Sequence, residues 1–368
     1  MMRGSLACAD AKDTTMSIDP ESEPWVVRDK NAQIETYNGK RAICLQGGYA
    51  YLNDVDFRNG VIECDLASPV ARSYLGIMFR VQSEENYELI YFQPHTSGKW
   101  DAVQYDPVFN GSTTWQLHHG PKYQAEAIVP TQEWFHVKIV VSGVTAEVYL
   151  HNAEAPALVV RDLRHGLSEG SVGFWSHHPG SIANLTVTRL SSPKRARAPF
   201  GPSPKLPYLT HCSVSEPTVF KTPGAPSLLE AAAGTPSAEW RTVTSEESGI
   251  VNLNRHFRKP PGEATVLAKL ALQSETEQSR KLTFGYSDKI TVFLNGLPIY
   301  SGDNSYGVSK QSGARGYVRD GEFSIDLPLR KGSNEFLLAV SEKAFGWGFI
   351  ARLDKAVGIH VEGQASAD

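Results

Sequence analysis

The densest chemistry in this 368-residue chain lies between Tyr91 and His119, in the run Tyr91-Phe-Gln-Pro-His95-Thr-Ser-Gly-Lys-Trp100-Asp-Ala-Val-Gln-Tyr105, continued through Asn110, Trp115 and His118-His119. Two Trp, two Tyr and three His stand there among amide and acid side chains, which is unlike ordinary connecting sequence. An aromatic face covers the C–H side of a sugar ring while amides, acids and Arg satisfy its hydroxyls, so the mixture suits a polyhydroxylated ligand. The expected contact residues are Tyr91, Gln93, Trp100, Asp101, Gln104, Asn110, Trp115 and His118, with His177 and His178 at the rim after Phe174-Trp175. For acid–base work His95 or Tyr105 supplies a base, Arg80 stands beside them, and Glu133, Asp101 and Asp106 are available acids. The plainer reading makes Phe92, Val103, Val108 and Leu117 core residues, with the aromatics lining strand ends. His95 with His118 or His119 has no metal-ligand spacing, so no metal ligands are assigned. A structural Ca²⁺ suits either half of the chain, although no loop matches a calcium signature.

Short alternating runs must position these groups. Gly60-Val-Ile-Glu-Cys-Asp-Leu66 puts Ile62, Cys64 and Leu66 on one side and Glu63 and Asp65 on the other. Phe135, Val137, Ile139 and Val141 repeat the pattern, and the Ser142-Gly143 turn leads into Ala146-Glu-Val-Tyr-Leu150. Period-2 patterning at this spacing predicts an all-β fold of antiparallel sandwiches, with no long amphipathic helix. If Leu89 shares the core with Ile77 and Phe79, Tyr91 and Gln93 turn inward. If Ile90 and Phe92 are the core pair, Tyr91 and Gln93 line a concave groove beside Arg80, and this choice keeps polar Gln93 out of the core.

The chain divides into 20–190, a Pro-rich connecting arm at 191–237, and a second β domain at 238–364. Proline at the density of Ala-Pro-Phe-Gly-Pro-Ser-Pro does not sit inside a sheet. In the second domain Asn295-Gly296 signals a tight hairpin. Asp288, Asn295, Asp303, Asn304 and Tyr306 fall on loops, and Trp347 between two glycines faces either a ligand or the first domain.

Trp134-Phe-His136-Val-Lys138-Ile, Glu147-Val-Tyr149-Leu and Gly170-Ser-Val-Gly173-Phe with Ala183-Asn184-Leu185 resemble the concanavalin A-like (laminin G-like) sandwich. Gly76-Ile-Met-Phe79-Arg80-Val with Asn86-Tyr87-Glu-Leu is similar to the bacterial domains named after 3-keto-disaccharide hydrolase. Ser287-Asp-Lys-Ile-Thr-Val-Phe-Leu-Asn-Gly296 and the run from Leu327 to Glu335 resemble the galactose-binding-like jelly roll. These resemblances imply a concanavalin A-like β-sandwich followed by a jelly-roll β-sandwich, in a carbohydrate context. Laminarinase-type enzymes of that fold carry Glu-x-Asp-x-x-Glu on one strand; here Glu63-x-Asp65 is followed by Ser68, so that retaining mechanism is not expected.

The expectation is therefore an enzyme cleaving a glycan or glycoside, by hydrolysis or β-elimination, in a groove around Arg80, Tyr91, His95, Gln104, Tyr105 and Trp115; the alternative is a non-catalytic, lectin-like protein. A protein-binding role for both sandwiches is a third reading. With 36 Lys+Arg against 40 Asp+Glu, the net charge of −4 gives no basis for nucleic-acid binding, and the basic cluster Lys194, Arg195 and Arg197 reads as a solvated linker. No segment is apolar enough for a membrane span or a signal-peptide core. Met-Met-Arg-Gly-Ser reads as an added leader, which leaves the cytoplasm, or export with the signal removed, equally open; the sequence does not give the oligomeric state. Of the four cysteines, Cys44 and Cys64 would pair only across neighbouring strands, and buried free thiols are expected instead.

Overall fold

The computed structural model describes residues 13–190, 207–221, 224–308 and 315–362. Half of the chain is strand and little of it is helix, and the strands pair antiparallel. No helix of the described residues is long and apolar enough to cross a membrane. The chain forms two compact units, one of residues 1–108 and 118–200, the other of 109–117 and 201–368. The basic cluster Lys194, Arg195 and Arg197 lies outside the described residues.

The first unit is a two-sheet sandwich. One sheet has eight strands in the order Leu158–Val160, Thr145–Leu150, Phe135–Ser142, Gly60–Ala67, Gly180–Arg189, Lys40–Leu45, Gln33–Tyr37, with Thr14–Ser17 added to Gly180–Arg189. The other has seven: Gln124–Ala125, Val103–Tyr105, Asn86–Phe92, Leu75–Ser83, Ser171–Ser176, Gly48–Leu52, Trp25–Val27. The alternation legible in the sequence sets the faces. Ile62, Cys64, Leu66, Val137, Ile139 and Val141 turn inward from the first sheet to meet Ile77, Phe79, Ile90, Phe92, Val172 and Phe174 from the second. Phe92 and Phe135 meet edge to face across the layers, at 5.8 Å between centroids. Each such side chain contributes about 1.5–3 kcal/mol on burial, so a face of six fixes the register against a one-residue slip.

The second unit pairs a seven-stranded with a four-stranded sheet. The larger runs Arg241–Thr244, His211–Val214, Ala264–Ser274, Gly332–Glu342, Lys289–Leu294, Leu297–Asp303, with Ile359–Val361 also on Ala264–Ser274. The smaller runs Ile250–Asn252, Gly348–Leu353, Gln278–Ser287, Phe323–Leu329. Asn295 (φ 51°) and Gly296 (φ 78°) turn the hairpin as expected from their types.

Two expectations are corrected. The described part of the stretch read as an arm is built into the second unit: His211–Val214 hydrogen-bonds on both sides within the larger sheet, and Ala225–Gly234 is a helix. The prolines flank the strand, and Pro226 occupies the first helical turn where no N–H is required. Trp347 is not a loop residue presented outward; it is fully buried in the second unit's core, and its indole N–H donates to the Val340 carbonyl at 3.0 Å. Cys44, Cys64 and Cys212 are buried free thiols.

Candidate functional site

The outer face of the seven-stranded sheet gathers a cluster of partly exposed aromatics, Tyr49, Tyr51, Tyr74 and Trp175. In Gly48–Leu52, Ala50 and Leu52 face the core, so Tyr49 and Tyr51 face out; in Ser171–Ser176, Phe174 faces in and Trp175 out. The ladder aligns them. Tyr49 pairs with Trp175, Trp175 with Gly76, Gly76 with Tyr91, Tyr91 with Gln104, and Gln104 with Gln124, forming one lateral row across six strands. Side chains directly opposite in such a ladder lie about 4.5–5.5 Å apart at Cβ, close enough to act as one surface.

Gly76 sits in the middle for a steric reason. A Cβ there would come within 2.7 Å of Leu89 Cδ1 and within 3.2 Å of both Trp175 and Tyr91. Without it the Trp175 and Tyr91 rings draw to 5.8 Å between centroids. Beneath them Met78 and Leu89 are fully buried and form the floor.

Tyr74, immediately before Leu75–Ser83, is the hub. Its ring centroid lies 5.8 Å from Tyr91, 4.9 Å from His95, 5.7 Å from His177 and 6.0 Å from His178. Trp175 stacks on His177 at 6.3 Å with 17° between planes. Backbone contacts hold the histidines: the His177 N–H donates to the Tyr74 carbonyl at 3.2 Å, and His95 Nδ1 lies 3.2 Å from the Ser73 carbonyl. Burial, then the neighbouring His178 and Arg72 charges, hold His177 below the usual histidine pKa, so its ring is neutral at pH 7. At the other end Tyr49 donates to Glu84 at 3.1 Å, and Glu84 pairs with Arg28. Burial first, then the Glu84 hydrogen bond, push the Tyr49 phenol up to about 12.

Tyr91, His95, His177 and His178 thus fall together, with Tyr91 on the outer face beside the Ile90 and Phe92 core pair. Trp100 is exposed on the adjoining loop, at 51%. Gln93 and Asp101 are buried, and the Gln93 amide donates to the Asp101 carbonyl; Gln93 is kept from the core layer but not from burial. Gln104 lies in the aromatic row, yet its amide donates to the His118 carbonyl at 2.9 Å and accepts from Gln124 at 2.6 Å. His118 is fully buried against Tyr123, at 5.4 Å between rings.

Arg80 and Tyr105 are corrected. Neither has any exposed surface. Arg80 (φ 50°) is the extra residue of a β-bulge, and the ladder shifts register between Phe79 and Ser83, so its side chain leaves the outer face. Its guanidinium donates to the Arg58 carbonyl at 2.7 and 3.0 Å, to that of Gly143 at 2.6 Å, and to Gly166. The Tyr105 hydroxyl donates to the buried carboxylate of Glu88 at 2.6 Å and accepts the Arg164 N–H at 2.7 Å. Asn110 and Trp115 belong to the second unit, where Asn110 donates to the Asn254 carbonyl at 2.7 Å and Trp115 packs on Tyr306, Tyr317 and Phe345. Tyr49, Tyr51 and Tyr74 are absent from the sequence-based set; the alternation Tyr-Ala-Tyr at 49–51 was the available signal.

Glu63 and Asp65 lie on the opposite sheet, where Asp65 accepts from Lys40 at 2.7 Å and Asn184 at 2.6 Å and meets His136 Nδ1 at 3.1 Å. Burial acts upward on its pKa, but these hydrogen bonds, Lys40 foremost, outweigh it and hold the carboxyl below the usual range. Among the described residues no group of three or more His, Cys, Asp or Glu side chains is placed to hold a metal ion.

No family model matches the chain, and no curated protein does. Among solved structures it is similar to the carbohydrate-binding module CBM66 of Bacillus subtilis, at 17% identity over 44% of this chain and 94% of that one, with a TM-score of 0.35. It is also similar to a β-glucanase of Bacillus licheniformis, at 10% identity over 47% of this chain and 98% of that one, with a TM-score of 0.33. A β-1,3-glucanase of Mycobacterium marinum aligns at 11% identity over 46% and 92%, with a TM-score of 0.30.

Proposed function

We propose that this chain is a carbohydrate-binding protein, and that its first unit takes the apolar face of a glycan on Tyr49, Tyr74 and Trp175, which pack over the buried ring of Tyr91. The observation that carries the reading is the aromatic row itself, continuous across the ladder and open at Tyr49, Tyr74 and Trp175. Stacked rings suit the C–H faces of pyranose units, and the imidazoles of His95, His177 and His178 supply edge hydrogen bonds to hydroxyls. Binding is preferred to cleavage because the catalytic set drawn from the sequence does not assemble: of His95, Tyr105 and Arg80, only His95 stands at the aromatic cluster. The likeness to 3-keto-disaccharide hydrolase-type domains would narrow the ligand to a glycoside, and that to galactose-binding-like jelly rolls would give the second unit a carbohydrate role too. Both belong to this proposal.

A glycan array tests it, with Trp175→Ala beside the natural chain. Removing a central aromatic anchor costs about 2 kcal/mol, roughly thirtyfold in affinity, with the fold retained because Trp175 lies outside the core layer. Array binding that survives Trp175→Ala unchanged refutes the site. Mass-spectrometric appearance of cleaved products from a bound glycan would replace binding by catalysis, with His95→Ala as the first variant to examine.

A further inference from the structure

We infer that the second unit holds a pocket of its own for a small neutral polyol or single sugar ring, in a cavity of about 680 Å³ on the outer face of its larger sheet, walled by the helix Ala225–Gly234. This deepens the carbohydrate role proposed above for the second unit and rests on it, with every residue involved outside the first unit's aromatic row. The volume falls within the roughly 300–1,000 Å³ usual for small-molecule sites.

The sheet face changes character along its length. Under the helix it is apolar: Leu228 packs on Leu267, Phe293, Leu337 and Ala339. Next to that patch the ladder aligns polar groups instead. Asp303 pairs with Lys289, Lys289 with Ser341, and Ser341 with Thr265, while Ser301 pairs with Thr291 in the adjoining row. Lys289, Thr291, Ser301 and Asp303 line the cavity. The Lys289 ammonium is held by Glu263 at 2.6 Å. The Thr291 and Ser301 hydroxyls stand 3.4 Å apart, at the outer limit for a hydrogen bond, so both retain capacity for a ligand.

Charge and shape select the ligand class. One Lys against Glu263 and Asp303 leaves the pocket net negative by one, which disfavours phosphates and carboxylates. With Glu263 already engaged by Lys289, the two carboxylates do not make a cation cage. An apolar ligand would desolvate the ion pair without replacing its water. A neutral molecule with several hydroxyls meets both carboxylates, the ammonium and the Thr291 and Ser301 hydroxyls, and Leu228 with Ala339 offers a strip for its C–H face.

The test is titration of the ¹⁵N-labelled full chain, followed by two-dimensional NMR, with methyl α-D-glucopyranoside, methyl α-D-galactopyranoside, myo-inositol and, separately, inorganic phosphate. The expected result is that at least one polyol shifts the amides of Lys289, Thr291 and Ser301 and phosphate does not. Thr291→Val with Ser301→Ala, which removes two hydroxyls and little volume, should weaken that response at least tenfold, and Lys289→Met is the second variant should the first fail to fold. Trp175→Ala should leave the response intact, which separates this pocket from the aromatic row. Absence of shifts with all three polyols, shifts from phosphate instead, or an unchanged response in the folded pocket variants overturns the inference.

Discussion

Arg80 spends its guanidinium on the carbonyls of Arg58, Gly143 and Gly166, and none of it reaches water. It is a cation placed to close the backbone of three loops, with the buried Glu88 as its countercharge. Arg80→Met should therefore cost about 3–5 kcal/mol in urea unfolding, because carbonyls and a carboxylate are left without compensation. Tyr105→Phe removes one hydroxyl between Glu88 and Arg164 and should cost about 1–3 kcal/mol. Glycan affinity should stay unchanged in Tyr105→Phe; a large loss there would return Tyr105 to the site. Period-2 reading placed Tyr91 correctly beside Ile90 and Phe92, yet failed for Arg80 one strand away. A bulge inserts a residue without any local signature as strong as alternation, and every parity argument beyond it is inverted.

At the scale of strands, the candidate surface depends on Gly76 as much as on any ring. Gly76→Ala would set a methyl 2.7 Å from Leu89 Cδ1, in a floor that is fully buried. The side chain of Leu89 must shift, and Trp175 and Tyr91 must part. We expect a stability loss of about 1–3 kcal/mol from this overpacking and a fall in glycan affinity of at least tenfold, read by calorimetric titration beside the thermal transition. A variant that loses stability but keeps affinity would show that ring spacing is immaterial. The strands were legible in the sequence because core positions such as Ile62, Cys64, Leu66 and Val137, Ile139, Val141 alternate cleanly. The row was not, because it needs the order of strands as well as their faces: Tyr49 meets Trp175 although 126 positions separate them, and only the ladder reveals it.

The whole molecule carries a pH dependence from the second unit. Burial, with the nearby Asp288 adding to it, pushes the Glu342 carboxyl up to about 7, against the lowering influence of Gly346 N–H, Lys259 and Asn254. The folded chain then binds this proton more tightly than the unfolded chain between the ordinary value of 4.5 and 7. Stability contributed by Glu342 is complete below that window, is lost as pH rises through it, and stays lost above, by about 3 kcal/mol at most. Urea unfolding from pH 5 to 8 should show the decline, and Glu342→Gln should flatten it; an equal slope in both proteins would assign the effect elsewhere. The division into two β units was visible in composition, but its boundary was not. Asn110 and Trp115 sit in an unbroken stretch of first-unit sequence, and nothing local marks 109–117 as belonging with residues past 200.

That interleaving governs how the chain can be made and cut. Ser287 Oγ donates to the Gln116 side chain at 2.7 Å, Gln116 Nε2 donates to the Arg315 carbonyl at 3.0 Å, and Val318 N–H donates to the Gln116 carbonyl at 2.9 Å. A gene fragment beginning at residue 201 would encode all these partners and omit Gln116 itself. On the ribosome residues 109–117 emerge before every one of these second-unit partners, so their contacts close stepwise as the chain from Asn254 to Phe345 is synthesised.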